Sequence, residues 1–568
     1  AIRPVEKQNE FGFTVSGPIV KDKLFVFGSL DMWRYRVTTA SQLVSIPSLK
    51  FRQGDFSELS VPIFDPLSTV CSGTPTVCTR TQFADPSRAT ATNPLGLNII
   101  PLNRISSIST FLQNQLPTPT SAGVQNNYLG SVPVGYDNNS VNIKIDYKLT
   151  DNQNVSGIYA WGKRGQSGAY RETSTAFPQS ALPLPYTDTR IVEEIPTVLQ
   201  FKHNWSITPN IINQVSFGYV HFFVPITNAT SDGQWLTKAG LKGLPAGDAS
   251  NAFLEAAFAG PNAPAGWRAL NSRDFEDNNH NYTFQDSLLW ISGKHSFRFG
   301  FQYQNTFDRV KTNDTGSNFV AGFSNNQTAG FNAGSSTVNA TTGNAYASYL
   351  LGALNTATVN DDTVILTTAQ FSSFSYWAAD DWKVNSKLTL NLGLRYDYML
   401  PYTEKDSYFS YLDPTVPNPA AGNRLGALRF GGNTAPSAIS CNCDQIIDTY
   451  PYAIGPRLGF AYALNEKTVL RGGYGIMYTR RGAVGGREGA RIGTGLTGIN
   501  ANATLSALNA YDPVFYWANG VPAYLKGPIY DQTYQTGFTT NILTATGAVA
   551  AGGAVTFKLS DFLREIKQ

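Results

Sequence analysis

Residues 141–161, VNIKIDYKLTDNQNVSGIYAW, decide the fold. Val141, Ile143, Ile145, Tyr147 and Leu149 alternate with Asn142, Lys144, Asp146 and Lys148. A polar run, Thr150-Asp151-Asn152-Gln153-Asn154, interrupts the pattern, and Val155, Gly157, Tyr159 and Trp161 then return on one face. Successive side chains of a strand point to opposite faces, so a period of two marks a strand with one apolar and one polar face. Two such runs about a short polar turn form a hairpin.

The same unit recurs along the chain. Phe11, Phe13, Val15 and Ile19 turn at Lys21-Asp22-Lys23. Leu199, Phe201, His203, Trp205 and Ile207 run to Thr208-Pro209-Asn210 and return through Val215, Phe217 and Tyr219. Residues 282–291 turn at Ser292-Gly293-Lys294 and come back as Phe297, Phe299, Phe301 and Tyr303. Phe374, Tyr376, Ala378 and Trp382 lead to Leu388, Leu390, Leu392, Leu394, Tyr396 and Tyr398. Leu458, Phe460, Tyr462 and Leu464 turn at Asn465-Glu466-Lys467 toward Leu470, Tyr474, Ile476 and Tyr478. These are six hairpins, at about residues 11–36, 141–164, 197–223, 281–308, 371–400 and 454–479, giving about twelve strands. At roughly 9–12 residues, each is long enough to cross a bilayer when tilted.

Turns within hairpins are short. Connections between them are long, at about residues 37–140, 165–196, 224–281, 308–370 and 401–454. Short turns at one end and long loops at the other are the asymmetry of outer-membrane barrels. Aromatics close many of the apolar faces, among them Tyr159, Trp161, Trp205, Trp290 and Tyr474, where a barrel carries its interfacial girdles. No fixed repeat of the propeller kind is present.

Composition agrees. Only 15% of the 568 residues are charged, against about 25% in soluble domains. Aromatics reach 12%, with 51 Gly and 31 Pro. No apolar run approaches the ~18 residues of a membrane helix; residues 345–354 and 545–557 come nearest. A net charge of +3 argues against nucleic acid as partner, since phosphate binding needs a concentrated basic surface. The fold class expected is therefore all-β: an antiparallel transmembrane β-barrel with long extracellular loops. Residues 1–480 form its barrel segment, and residues 481–568 an extracellular loop and a C-terminal segment without clear assignment.

The four cysteines fall in two close sets, Cys71 with Cys78 and Cys441 with Cys443. They allow three pairings. Local pairing of Cys71 with Cys78 would staple a loop in an oxidising compartment, and a Cys441–Cys443 bridge would close a very small ring. No His lies near either set, so no metal site is expected. HExxH, GxSxG and GxxxxGK[ST] are all absent. Residues 493–498, GTGLTG, fit GxGxxG but lack a strand-to-helix context, so a glycine-rich loop is the reading. Asp380 and Asp381 are strand neighbours that point to opposite faces, poorly placed for joint acid–base work. The expectation is a protein that is not an enzyme and needs no cofactor. One cluster stands out: Arg480, Arg481, Arg487 and Arg491 follow a strand end in a glycine-rich stretch. Guanidinium groups there could draw in a carboxylate or phosphate; a solvated loop, or contact with lipopolysaccharide phosphates, is the plainer role. Arg395 and Asp397, on the polar face, are candidates to line a pathway; a structural ion pair to a neighbouring strand or to a plug is the plainer role.

Several segments resemble the TonB-dependent outer-membrane receptors, in particular their Oar-like branch. They are residues 11–28 (FGFTVSGPIVKDKLFVFG), 98–104 (NIIPLNR), 345–352 (AYASYLLG), 379–398 (ADDWKVNSKLTLNLGLRYDY), 417–430 (PNPAAGNRLGALRF) and 456–478 (PRLGFAYALNEKTVLRGGYGIMY). The resemblance implies a barrel of 22 strands, of which this chain holds about twelve. It implies an N-terminal plug and a TonB-contacting segment upstream of Ala1, and further strands beyond Gln568. It also implies a bacterial outer-membrane location, lipid and lipopolysaccharide as surroundings, and TonB-coupled import of a small-molecule, oligosaccharide or peptide ligand captured by the loops. A passive pore or display barrel, and a secreted glycan-binding β-protein, are the alternative readings of the same hairpins.

Overall fold

The computed structural model describes residues 6–38, 41–131, 133–168, 182–187, 190–230, 233–245, 252–267, 275–311, 319–361, 364, 366–418, 423–433, 435–445, 449–479, 499, 501–524, 526, 530, 542–543 and 549–550. Twelve strands follow one another as an antiparallel meander, each bonded to its neighbours in sequence. They pair as Glu6–Val20 with Leu24–Thr38, Pro133–Thr150 with Gln153–Gly168, and Arg190–Thr208 with Ile211–Asn228. Phe275–Ser292 with His295–Lys311, Leu366–Lys383 with Leu388–Met399, and Ile454–Asn465 with Thr468–Gly475 complete the six hairpins. A short strand, Thr403–Glu404, adds to Leu366–Lys383 as the thirteenth member. Many strands are longer than the 9–12 residues expected, reaching 19 in Arg190–Thr208. The ladder continues past the apolar positions toward the long connections.

The alternation sorts the two faces by solvent. One face carries Phe13 (62% exposed), Leu394 (52%) and Leu458 (54%), with Ile143, Ile145, Phe201, Phe217 and Phe284 also exposed. In water, so much continuous apolar surface would be an association or aggregation site; on a membrane barrel it is the lipid band. Aromatic pairs bound it. Near the turns Trp290 meets Phe297 at 5.3 Å. Toward the loops Tyr219 meets Tyr282 at 4.9 Å, His221 stacks on His280 at 4.4 Å, and His280 on Phe307 at 4.6 Å. From Trp290 to His280 the strand advances about 33 Å, or about 25 Å across a bilayer at the ~40° tilt of barrel strands. Asp286 is a polar exception on this face, and Asn213 donates to its carboxylate at 2.6 Å.

The hydrophobic core lies elsewhere, in the long connections. Phe51, Phe56, Ile63, Ile100 and Leu112 from the first connection pack with Tyr186 from the second and with Phe253 and Trp267 from the third. Phe323, Tyr349 and Leu350 come from the fourth, and Leu505 and Trp517 from beyond the last hairpin. Four strands frame this cap in the order Glu255–Ala259, Phe319–Ser324, Thr356–Asp361 and Ala501–Ser506, the first pair parallel and the others antiparallel. Thus residues 501–524, within the stretch expected as a loop and an unassigned C-terminal segment, supply a strand and core side chains to the cap.

The apolar run near residue 345 is the helix Ala345–Leu350. Asn344 caps it by accepting from the N–H groups of Tyr346 and Ala347. Gly352, at φ +67, closes it, a left-handed conformation that glycine adopts without strain. All six helical residues are buried, so this run is a cap core and not a membrane span. Arg80 ties the parts together: it donates to the carbonyls of Asn326, Gln327, Ala329 and Tyr511, between the rings of Phe331 and Tyr511. A second, smaller core joins Leu428, Phe430 and Ile439 with Val364 and Ile499, beside the hairpin Ser410–Asn418/Arg424–Phe430. Cys71 is joined to Cys78 across the ladder of Val70–Ser72 and Val77–Thr79, and Cys441 to Cys443.

Candidate functional site

The polar face of the sheet is built by the same alternation. Gln302 and Gln304 come from His295–Lys311, Asn279 and Asn281 from Phe275–Ser292, and Ser373 and Ser375 from Leu366–Lys383. Within each pair the two residues are separated by one outward residue, so both point inward. With Arg395, Asp397 and Arg457 they line a cavity of about 550 Å³. It sits at the loop end of the strands: its lining residues lie toward the ends that lead into the long connections, and Met477, Tyr478 and Thr479 close one side.

Part of the lining is tied down. Asp397 is buried, accepts from Arg395 Nε at 2.9 and 3.0 Å, and accepts from Ser375 Oγ at 2.6 Å. The Arg395 guanidinium also lies 5.4 Å from the Trp377 ring centre. Trp377 in turn packs on the backbone of Gly300, where a Cβ would fall 2.0 Å from the indole. Arg395 and Asp397 line the cavity and pair with each other within one strand, where an ion pair to a neighbouring strand or to the plug was the expectation. Asn281 donates to Thr306 Oγ1 at 2.9 Å.

The rest is left open. Among the described residues the side chains of Asn279, Gln302, Gln304 and Ser373 make no hydrogen bond, and Arg457 makes no ion pair. The inner wall thus offers uncharged donors and acceptors in number, with two guanidinium groups against one carboxylate. Nearer the turns the same face continues polar, with Arg298 on Asp381 at 3.1 Å and Asn391 donating to Asp381. Asp380 goes to the other face and holds His295 at 2.6 Å. His203 meets Gln153 at 3.2 Å.

Arg480, Arg481, Arg487, Arg491 and the GTGLTG run lie outside the described residues. The chain enters the arginine stretch from the cavity rim at Thr479. Among the described residues no group of three or more His, Cys, Asp or Glu converges as metal ligands would. The cavity amides escaped sequence reading, although paired Asn and Gln at a spacing of two were its visible trace.

An apolar outward band, a polar inner face and long connections at one end define an outer-membrane β-barrel. The sequence profile of the outer membrane beta barrel domain matches residues 1–553. The chain belongs to that family and resides in the bacterial outer membrane.

No curated protein matches the sequence. Among solved structures, the outer-membrane transporter YddB of Escherichia coli is 10% identical over 83% of this chain and 46% of its own, with a TM-score of 0.35. A ferric enterobactin receptor of Pseudomonas aeruginosa, in complex with enterobactin, is 11% identical over 89% and 49%, at 0.30. The siderophore receptor PiuA of Acinetobacter baumannii is 10% identical over 80% and 47%, at 0.28. The chain spans about half the length of these structures.

Proposed function

We propose that this chain is the barrel wall and cap of a TonB-coupled receptor. The cap and the loops capture a scarce ligand outside the cell. The polar inner face passes it, a plug gates the lumen, and TonB drives the gate. The observation that carries this reading is the cavity at the loop-end mouth of the polar face. Amides and a guanidinium that are unpaired among the described residues face the space that an entering solute would cross. The arginines Arg480, Arg481, Arg487 and Arg491, which continue the chain from the cavity rim, would add attraction for anionic groups. The complete barrel would have 22 strands.

The test is conductance. The complete gene product, inserted in a planar bilayer, is expected to carry no steady current until mild urea loosens the plug, and to fall silent again on its removal. A steady ohmic current without urea would make it a passive pore and end the receptor reading.

A further inference from the structure

We infer that the mouth cavity selects an acidic oligosaccharide, its hydroxyls read by the amide wall and its carboxylate by Arg457. The inference rests on the receptor reading above and names the ligand class for the same site.

A volume of about 550 Å³ falls within the ~300–1,000 Å³ of sites that hold small molecules. Its chemistry is the informative part. Carboxamides both donate and accept, as sugar hydroxyls do, and among the described residues Asn279, Gln302 and Gln304 spend none of that capacity on other side chains. Ser373 adds a hydroxyl. A wall of this kind suits a ligand that presents many neutral hydroxyls and little apolar surface.

Charge narrows the class further. Arg395 is committed to Asp397, so its pair is close to neutral as seen from the cavity. Arg457 stands without a carboxylate partner among the described residues, on the face where Gly393 and Gly475 leave room beside it. One open guanidinium matches one carboxylate, to which it can bond with two parallel N–H groups. Within the described lining it is the single cation without a carboxylate partner, which matches one formal negative charge on the part of the ligand held there. A sugar acid within an oligosaccharide satisfies the amides and the guanidinium together.

The test uses the complete gene product in detergent, on an array printed with uronate-bearing, sialylated and neutral glycans, with a ferric tris-catecholate run in parallel. Uronate-bearing or sialylated glycans are expected to be retained over their neutral counterparts. Arg457→Gln should weaken that retention about ten- to a hundredfold, the usual worth of a charged hydrogen bond, and remove the preference for acid. Gln302→Ala with Gln304→Ala should weaken acidic glycans while sparing the preference. Retention of no acidic glycan, equal retention of neutral ones, stronger binding of the ferric catecholate, or an unchanged Arg457→Gln protein would each overturn the inference. Bilayer conductance on the same preparation separates the two levels. A silent channel without glycan binding refutes the ligand class alone; a steady current refutes the receptor.

Discussion

Ile145 tests which solvent the outward face meets. It is 46% exposed, at mid-height of the apolar band, level with Phe201, Phe217 and Phe284 across successive strands. On a water-facing sheet an Ile→Arg change at such a position costs within about 0.5 kcal/mol. Against lipid near the midplane, arginine costs about 2–4 kcal/mol, which is roughly thirty- to several-hundred-fold in the folding equilibrium. The neighbour supplies the control. Lys144 lies on the polar face and pairs with Asp146 at 2.7 Å, both about half exposed. Lys144→Ala should cost no more than about 1 kcal/mol. The complete gene product folded in phosphatidylcholine vesicles, unfolded with guanidinium and followed by tryptophan emission, gives both values. An Ile145→Arg protein no less stable than Lys144→Ala would mean that the face meets water, and the membrane assignment of the sheet would fail.

Phe323→Ala removes a fully buried ring packed against Tyr349 at 5.4 Å and Trp517 at 5.3 Å. It should cost the cap about 3–5 kcal/mol, seen as protease cleavage in the connections while the barrel keeps its heat-modifiable gel mobility. Arg80→Lys keeps the charge but loses the fork that reaches four carbonyls, and should loosen the same connections in hydrogen exchange. Burial lifts the Asp65 carboxyl, but the hydrogen bonds from Arg104 and the Leu67 N–H and the charges of Arg104 and Arg80 outweigh it, so the group sits below the usual carboxylate range. A lowered folded value means stabilisation that is present above the unfolded value of ~3.9 and lost as pH falls through the folded one. The cap should therefore weaken in that acid window, and Asp65→Asn should remove this part of the pH dependence in near-UV circular dichroism.

The sheet was legible because period-two alternation is a local signal. Val141 to Trp161 could be read as two strands without knowing any partner, and meander pairing then followed from the short turns. The cap was not legible, because its order comes from contacts distant in sequence. Phe51, Trp267, Tyr349 and Trp517 each sit in stretches without a sustained period and meet only in three dimensions. Residues 345–350 show the limit clearly: AYASYL is apolar, but its length could exclude a membrane helix without saying what buries it. The arginine cluster was conspicuous because charge is rare in this chain. The cavity was missed because neutral amides on an inward face look like any water-facing side of a strand.

The position of the cavity follows from these two kinds of order. A strand that continues beyond the lipid band keeps its alternation but loses the need for apolar residues on its outer side. The inner face stays polar throughout, since water reaches it at every height. Near the loop end the chain therefore has polar groups on both faces, as at Asn278 and Asn279. The connections that leave this zone pack into a core of their own. Amides on strands of a continuous ladder are held in place before any ligand arrives. A site so preorganised loses less ordering entropy on binding than loops that must fold around their ligand, so substitutions at Gln302, Gln304 or Arg457 should change affinity without unfolding either part.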